Sequence, residues 1–122
     1  MKNKELLIYR IVTVLFSLLI MLGVSQYFFN YEMVKGMFEQ LHFPSYLIYP
    51  MGVMKTLGVI AIWVKVPKTI KEWAYAGFAF NLLLGISAHL NVADGEYYGA
   101  LIALILASIS YFYYRKVNVA VA

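Results

Sequence analysis

Few side chains in this sequence are equipped for chemistry, and the one most out of place is Lys55. It stands near the middle of Ser45–Val64, a stretch that is apolar almost throughout. Wound as a helix rising about 1.5 Å per residue, that stretch puts Lys55 about 14 Å from either end. A lysine stem reaches about 6 Å, short of the surface of a hydrocarbon layer about 30 Å thick. An ammonium there needs a polar partner, water, a guest molecule or loss of its proton, and inserting it at a helix centre costs about 2.5–3.5 kcal/mol. Asn81 falls about 13 Å into a later helix counted from Glu72, a similar depth, so Lys55–Asn81 is the expected pair. The functional reading is a hydrogen-bonding head that holds a quinone oxygen, a lipid phosphate or another polar group of a greasy molecule. The structural reading is a lysine satisfied by Asn81, helix carbonyls or water. Intramembrane charges usually mark sites, which favours the first.

The remaining candidates are weaker. Glu72 is a counter-ion for Lys55 if the lysine bends inward, but its place near a helix N-terminus accounts for it equally well. His89, with His42, Glu39, Asp94 and Glu96, falls toward one end of the chain's spans. A proton relay or a metal site is one reading of that group; a hydrogen bond of His89 inside the bundle is the favoured one. Trp73, Tyr75 and the terminal tyrosines could stack on a planar guest, yet aromatic belts are expected at these depths without one. The sequence has no cysteine, which excludes thiolate metal sites, disulfides and thiol exchange by this chain. It has no glycine-rich phosphate loop and no HExxH pattern. No catalytic set and no resident metal are expected.

The elements that must position these residues are membrane spans. Of the 122 residues 63% are hydrophobic and 13% charged, with mean hydropathy +0.75. Soluble domains average about 45–50% apolar and about 25% charged, and a soluble domain this short could not hide so much apolar surface. The pattern predicts an all-α integral membrane four-helix bundle forming one domain, with helices over about 6–29, 45–64, 72–92 and 97–114. The first apolar run outlasts a signal-peptide core and reads as a retained span. Between the first two spans, Met33, Val34, Met37, Phe38 and Leu41 oppose Glu32, Lys35, Glu39 and Gln40, which predicts a short amphipathic helix at the interface over about 31–42. Pro50 is expected to kink the second span above Lys55. Small residues line up as seams: Gly52 and Thr56 beside Lys55, Ala74, Gly77, Asn81, Gly85 and Ala88 in the third span, Gly99, Ala103, Ala107 and Ser110 in the fourth.

The net charge of +4 is not a nucleic-acid footprint, because the basic residues flank the apolar runs instead of forming a face. Lys2, Lys4, Arg10, Lys65, Lys68, Lys71, Arg115 and Lys116 all fall at one end of the spans, against Lys35 alone at the other. The positive-inside rule then makes both termini cytoplasmic, in a multi-pass protein of the inner (cytoplasmic) membrane.

Gly52-Val-Met-Lys55-Thr-Leu-Gly58, Lys71-Glu72-Trp73-Ala74-Tyr75-Ala76-Gly77-Phe78-Ala79-Phe80 and Ser87-Ala88-His89 together resemble the DoxX-like family of small membrane proteins, over roughly Phe43 to Tyr114. The resemblance implies a four-helix membrane protein. The family's namesake is a subunit of a thiosulfate:quinone oxidoreductase and relatives are associated with membrane redox complexes, while most members have no assigned chemistry. It implies a membrane redox partner, and the family name carries no reaction with it. The functional expectation is therefore an accessory subunit that binds a lipophilic molecule, quinone-like or isoprenoid, through Lys55, Asn81 and His89 with Gly52, Thr56 and Tyr49. A quinone or a lipid is the guest, and the chain brings no redox centre to it. A scaffold or assembly partner using its small-residue seams, including self-association, is the alternative. A small transporter is the other, disfavoured because the first span lacks a buried carboxylate.

Overall fold

The computed structural model describes residues 2–121, and among them the elements are α1 (Lys2–Phe29), α2 (Tyr31–Gln40), a 3₁₀ turn (Ser45–Leu47), α3 (Ile48–Trp63), α4 (Lys68–Val92) and α5 (Tyr98–Val121). No strand forms among the described residues. Four of the helical segments, Asn3–Phe29, Ser45–Trp63, Lys68–Val92 and Tyr98–Val117, are long and apolar enough to cross a membrane. They close as a ring in which α1 meets α3 and α5, and α4 meets the same two. Consecutive spans run antiparallel. One end of the bundle carries the two termini and the α3–α4 turn; the other carries α2 and the α4–α5 turn, and is called here the loop end. The described basic residues of the expected cytoplasmic side lie at the terminal end, where Lys116 reaches Glu5 at 3.9 Å. The side chain of Lys2, counted with them, lies outside the described residues.

The rim of the bundle is greasy and its core is small. Leu18, Leu22, Met54, Trp73 and Phe80 stand exposed, while Phe16, Ile20, Val24, Phe78, Leu82, Ala103 and Ala107 are buried between helices. Lipid solvates the first set as well as protein would, so only the packing interior needs close fit. Its centre is an edge-on contact of Phe16 on Phe78, with ring centroids 5.0 Å apart across the diagonal of the ring.

Local chemistry sets the breaks. Helix α2 stops because His42 takes a left-handed backbone (φ 65°). The Phe43 amide then donates to Phe38 O at 2.8 Å and the His42 amide to Glu39 O at 3.1 Å. That is a Schellman stop, complete with its apolar contact of Phe38 on Phe43. His42 is thus occupied as a helix terminator in a place usually given to glycine. Pro67 precedes α4 and accepts the first amides, Ile70 at 3.0 Å and Lys71 at 3.3 Å, so that helix begins ahead of Glu72. The end of α3 is capped from outside: the Lys71 ammonium donates to the carbonyls of Ala61, Ile62 and Val64 at 3.1, 2.7 and 2.8 Å. A lysine at a helix C-terminus meets both the orphan acceptors and the negative end of the dipole.

Two expectations change. Pro50 does not sit mid-helix, because the 3₁₀ turn replaces the first part of the expected span and leaves Pro50 in the first turn of α3. A missing amide costs nothing there, since that donor has no partner within the helix. The small-residue seam of α4 is not its tightest packing face: Tyr75, Phe78 and Leu82 are buried, whereas a side chain at Gly77 would meet open space. The α5 seam does pack, with Ala103, Ala107 and Ser110 all buried.

Both glycines of the Gly52-x-x-Lys55-x-x-Gly58 stretch seat aromatic rings from neighbouring helices. A Cβ at Gly52 would stand 3.1 Å from the Phe28 ring and 3.3 Å from Tyr27, and one at Gly58 would stand 2.8 Å from Phe78. Phe78 is itself pinned by Phe16, so the ring cannot yield freely. Gly58→Ala is accordingly expected to destabilise the bundle by about 1–3 kcal/mol in detergent unfolding. Gly99→Ala, where a Cβ meets nothing, should be neutral or stabilising by about 0.5–1 kcal/mol. Equal responses would refute the ring-seat account.

Candidate functional site

Helix α3 carries Lys55 about 10 Å from its first residue, near the middle of the span. With Gly52 drawing Tyr27 and Phe28 close, the ammonium turns toward α1. Lys55 Nζ donates to the Tyr27 hydroxyl at 2.9 Å and stands 5.1 Å from the centroid of that ring. Tyr27 is in turn held edge-on by Phe38 of α2, with centroids 5.9 Å apart. The expected Lys55–Asn81 bond is thereby replaced: Tyr27 accepts, and Asn81 lies across the cavities that both residues line. Among the described residues no carboxylate pairs with Lys55.

Lys55 stands in the wall of two cavities. The first, about 410 Å³, is a groove between α3 and α4 that runs from Lys55 and Asn81 toward Ala61 and Ile70. The second, about 310 Å³, lies beneath α2, with Gln26, Tyr27, Asn81 and His89 as its polar groups and Met33, Met37 and Met51 among its apolar ones. Both volumes fall in the range of small-molecule sites, apolar walls with a few converging polar groups. Methionine linings adapt to irregular shapes.

Of the expected ligand set, the structure brings Lys55, Asn81 and His89 to one chamber and leaves the others out of it. Gly52 is a seat for Phe28 and Tyr27. Thr56 donates to Gly52 O at 2.8 Å, a bond within its own helix. Tyr49 is stacked between Phe28 and Tyr31, centroids 5.4 and 5.2 Å away. Glu72 lines a separate recess of about 280 Å³ between α4 and α5, beside Tyr75 and Tyr111, and is no counter-ion to Lys55.

His89 makes its hydrogen bond at the loop end and not inside the bundle: Nδ1 lies 2.9 and 3.1 Å from the two Asp94 carboxylate oxygens. A neutral imidazole in that contact carries its proton on Nδ1, leaving Nε2 as its free acceptor. Asp94 also accepts the Glu96 amide at 2.9 Å. That amide first, and His89 second, hold the Asp94 carboxyl below the usual carboxylate range. Among the described residues no three histidines and carboxylates gather as metal ligands would.

Sequence reasoning missed two polar arrangements. Tyr27 reads as one of several belt aromatics, and nothing in its spacing distinguishes it. The second is a nest in the terminal half: Thr13 Oγ1 and Ser110 Oγ are 2.6 Å apart, Tyr75 OH is 2.8 Å from the same Ser110 oxygen, and Trp63 Nε1 donates to Ser17 Oγ at 2.8 Å. Of these residues, Ser110 stands in the small-residue seam read from the fourth span. Thr13, Tyr75 and Ser110 satisfy one another and Trp63 satisfies Ser17, which removes the cost of burying hydroxyls, so the nest is a structural clasp of α1, α3, α4 and α5.

The model of the DoxX-like family matches residues 11–112. No curated protein and no solved structure matches the chain.

Tyr27→Phe should cost about 1–2 kcal/mol in detergent unfolding by stranding the Lys55 ammonium. Adding Lys55→Met should recover most of that loss, a coupling that independent sites would not give. For Asp94 the folded pKa lies below the model-compound value of 3.8. Its contribution to the α4–α5 turn is complete above that value and is lost as pH falls through the folded pKa. Hydrogen exchange at the Glu96 amide, corrected for intrinsic rate, should speed up over that acid interval and be fast at every pH in Asp94→Ala.

Proposed function

Starting from the fact that this chain belongs to the DoxX-like family of membrane proteins, we propose that it is an accessory membrane subunit that binds a lipophilic molecule by its polar head at Lys55. The observation that carries this reading is an ammonium bonded to one neutral phenol, with no carboxylate beside it among the described residues, in the wall of two apolar cavities. A head that accepts hydrogen bonds, a quinone carbonyl above all, gives that cation the company the protein supplies only in part. Asn81 offers a second donor at the same chamber, and His89 brings its imidazole to it. Neither residue has another side-chain role in the packing described above, apart from the Asp94 contact.

The chain itself supplies binding and orientation. Without cysteine, and with its carboxylates at the loops and helix ends, it holds no group of its own that cycles electrons, so a redox step on the guest would involve a partner subunit. The concentration of basic residues at the terminal end favours that end as the cytoplasmic one, in a cytoplasmic membrane.

A quinone analogue with a photoreactive group on its ring, applied to the protein in nanodiscs, tests the reading. Labelling should fall on peptides carrying Lys55, Tyr27 and Asn81, and Lys55→Met should weaken it about tenfold or more, the worth of a charge-assisted hydrogen bond. Labelling that is indifferent to Lys55→Met overturns the proposal, and recovery of a stoichiometric protein partner by both wild type and Lys55→Met would favour a scaffold in its place.

A further inference from the structure

The two cavities differ in kind, and their shared wall says how a guest lies. Lys55, Asn81 and Met51 line both. On the chamber side lie the polar groups of Gln26, Tyr27 and His89. On the groove side, past Lys55 and Asn81, the lining is apolar but for the Trp73 indole. Small residues from both helices, Gly58 and Ala61 against Ala74 and Gly77, make the groove a trough, and Met54, Leu57 and Trp73 on its flanks are exposed at the surface that meets lipid. From Asn81 to Ile70 the trough runs about 16 Å along α4.

We infer that the guest is a single-chain lipophile with an uncharged or anionic head, lying across both cavities, head in the chamber under α2 and chain in the α3–α4 trough toward the terminal end. The inference rests on the reading of Lys55 given above and adds the ligand's shape, polarity and direction. Charge decides the head: beside the Lys55 ammonium, with Asp94 already engaged by His89 and the Glu96 amide, a cationic amphiphile meets repulsion and a hydrogen-bond acceptor meets donors. Lining decides the chain: methylenes gain from the apolar trough and not from the polar chamber. Because the trough opens along its length to the bilayer side, the molecule enters sideways from the membrane and passes the Lys55 partition head first.

Two quinone probes with one head group, one chainless and one with a decyl chain ending in a diazirine, separate this from the reading beneath it. Gly77→Leu fills the trough at a position where added atoms meet open space, so it should weaken the decyl probe about tenfold and leave the chainless probe unchanged. In wild type the diazirine should label peptides carrying Ile70 and Trp73, and excess unlabelled decyl quinone should suppress that label. Full retention of the decyl probe by Gly77→Leu overturns the inference. So does labelling at Met33 and Met37, which would put the chain in the chamber, or labelling that no competitor suppresses, which is contact with bulk lipid. If Gly77→Leu does not fold, the wild-type labelling pattern decides alone. Loss of the chainless probe in Lys55→Met upholds the head-group reading whatever the trough does; its survival there removes that reading and this one together.

Discussion

A cation among apolar side chains must be given polar company, and the arrangement of α1, α2 and α3 follows from how Lys55 obtains it. Among the described residues its one hydrogen bond goes to a neutral hydroxyl, Tyr27. For that bond to form, α1 has to approach α3 closely, and Gly52 is the residue that permits it by giving up its side-chain volume to Phe28 and Tyr27. Tyr27 then needs a fixed ring, which Phe38 of α2 provides, and α2 needs an end, which His42 provides by its left-handed turn. A short helix that looks peripheral is therefore part of the support of the lysine, and it also roofs the chamber the lysine faces.

The same demand is met by other means at the opposite end. There Lys71 places its ammonium over three carbonyls at the end of α3, and hydroxyls of Thr13, Ser110 and Tyr75 satisfy one another between helices. No buried side-chain nitrogen or oxygen among the described residues lacks a partner. Lys71 is committed to carbonyls as acceptors, and its position is accounted for by the chain's own backbone. Lys55 differs in kind: among the described residues a single phenol is its partner, and cavities adjoin it. That contrast between two lysines of one bundle separates a structural cation from a candidate binding one.

Glycines divide along similar lines. Gly52 and Gly58 are filled by neighbouring rings, so they hold helices together. Gly77 faces open space in a trough floored by other small residues. A small residue at helical spacing marks a close approach in either case, of a helix or of a guest, and spacing alone does not say which. For this reason the seam through Ala74, Gly77 and Asn81 reads as a packing face in sequence and turns out to line a cavity.

Hydrophobic length and periodicity determined the all-helical class, the four long apolar helices, the amphipathic segment between the first two and the clustering of basic residues at one end, because these depend only on how a helix projects its own side chains into lipid or inward. They also isolated Lys55 between two glycines, since one charge in an apolar run is visible without coordinates. What only the tertiary structure decided is who meets whom. Tyr27 in place of Asn81 as the lysine's partner, Asp94 as the partner of His89, Glu72 set apart in its own recess, and the two cavities divided at Lys55 all depend on the rotation and pairing of helices about their axes. Helical periodicity assigns a residue to a face but leaves open which neighbour that face meets. Close packing of Phe16, Phe78 and the aromatic rings on Gly52 and Gly58 settles that rotation, and with it the site.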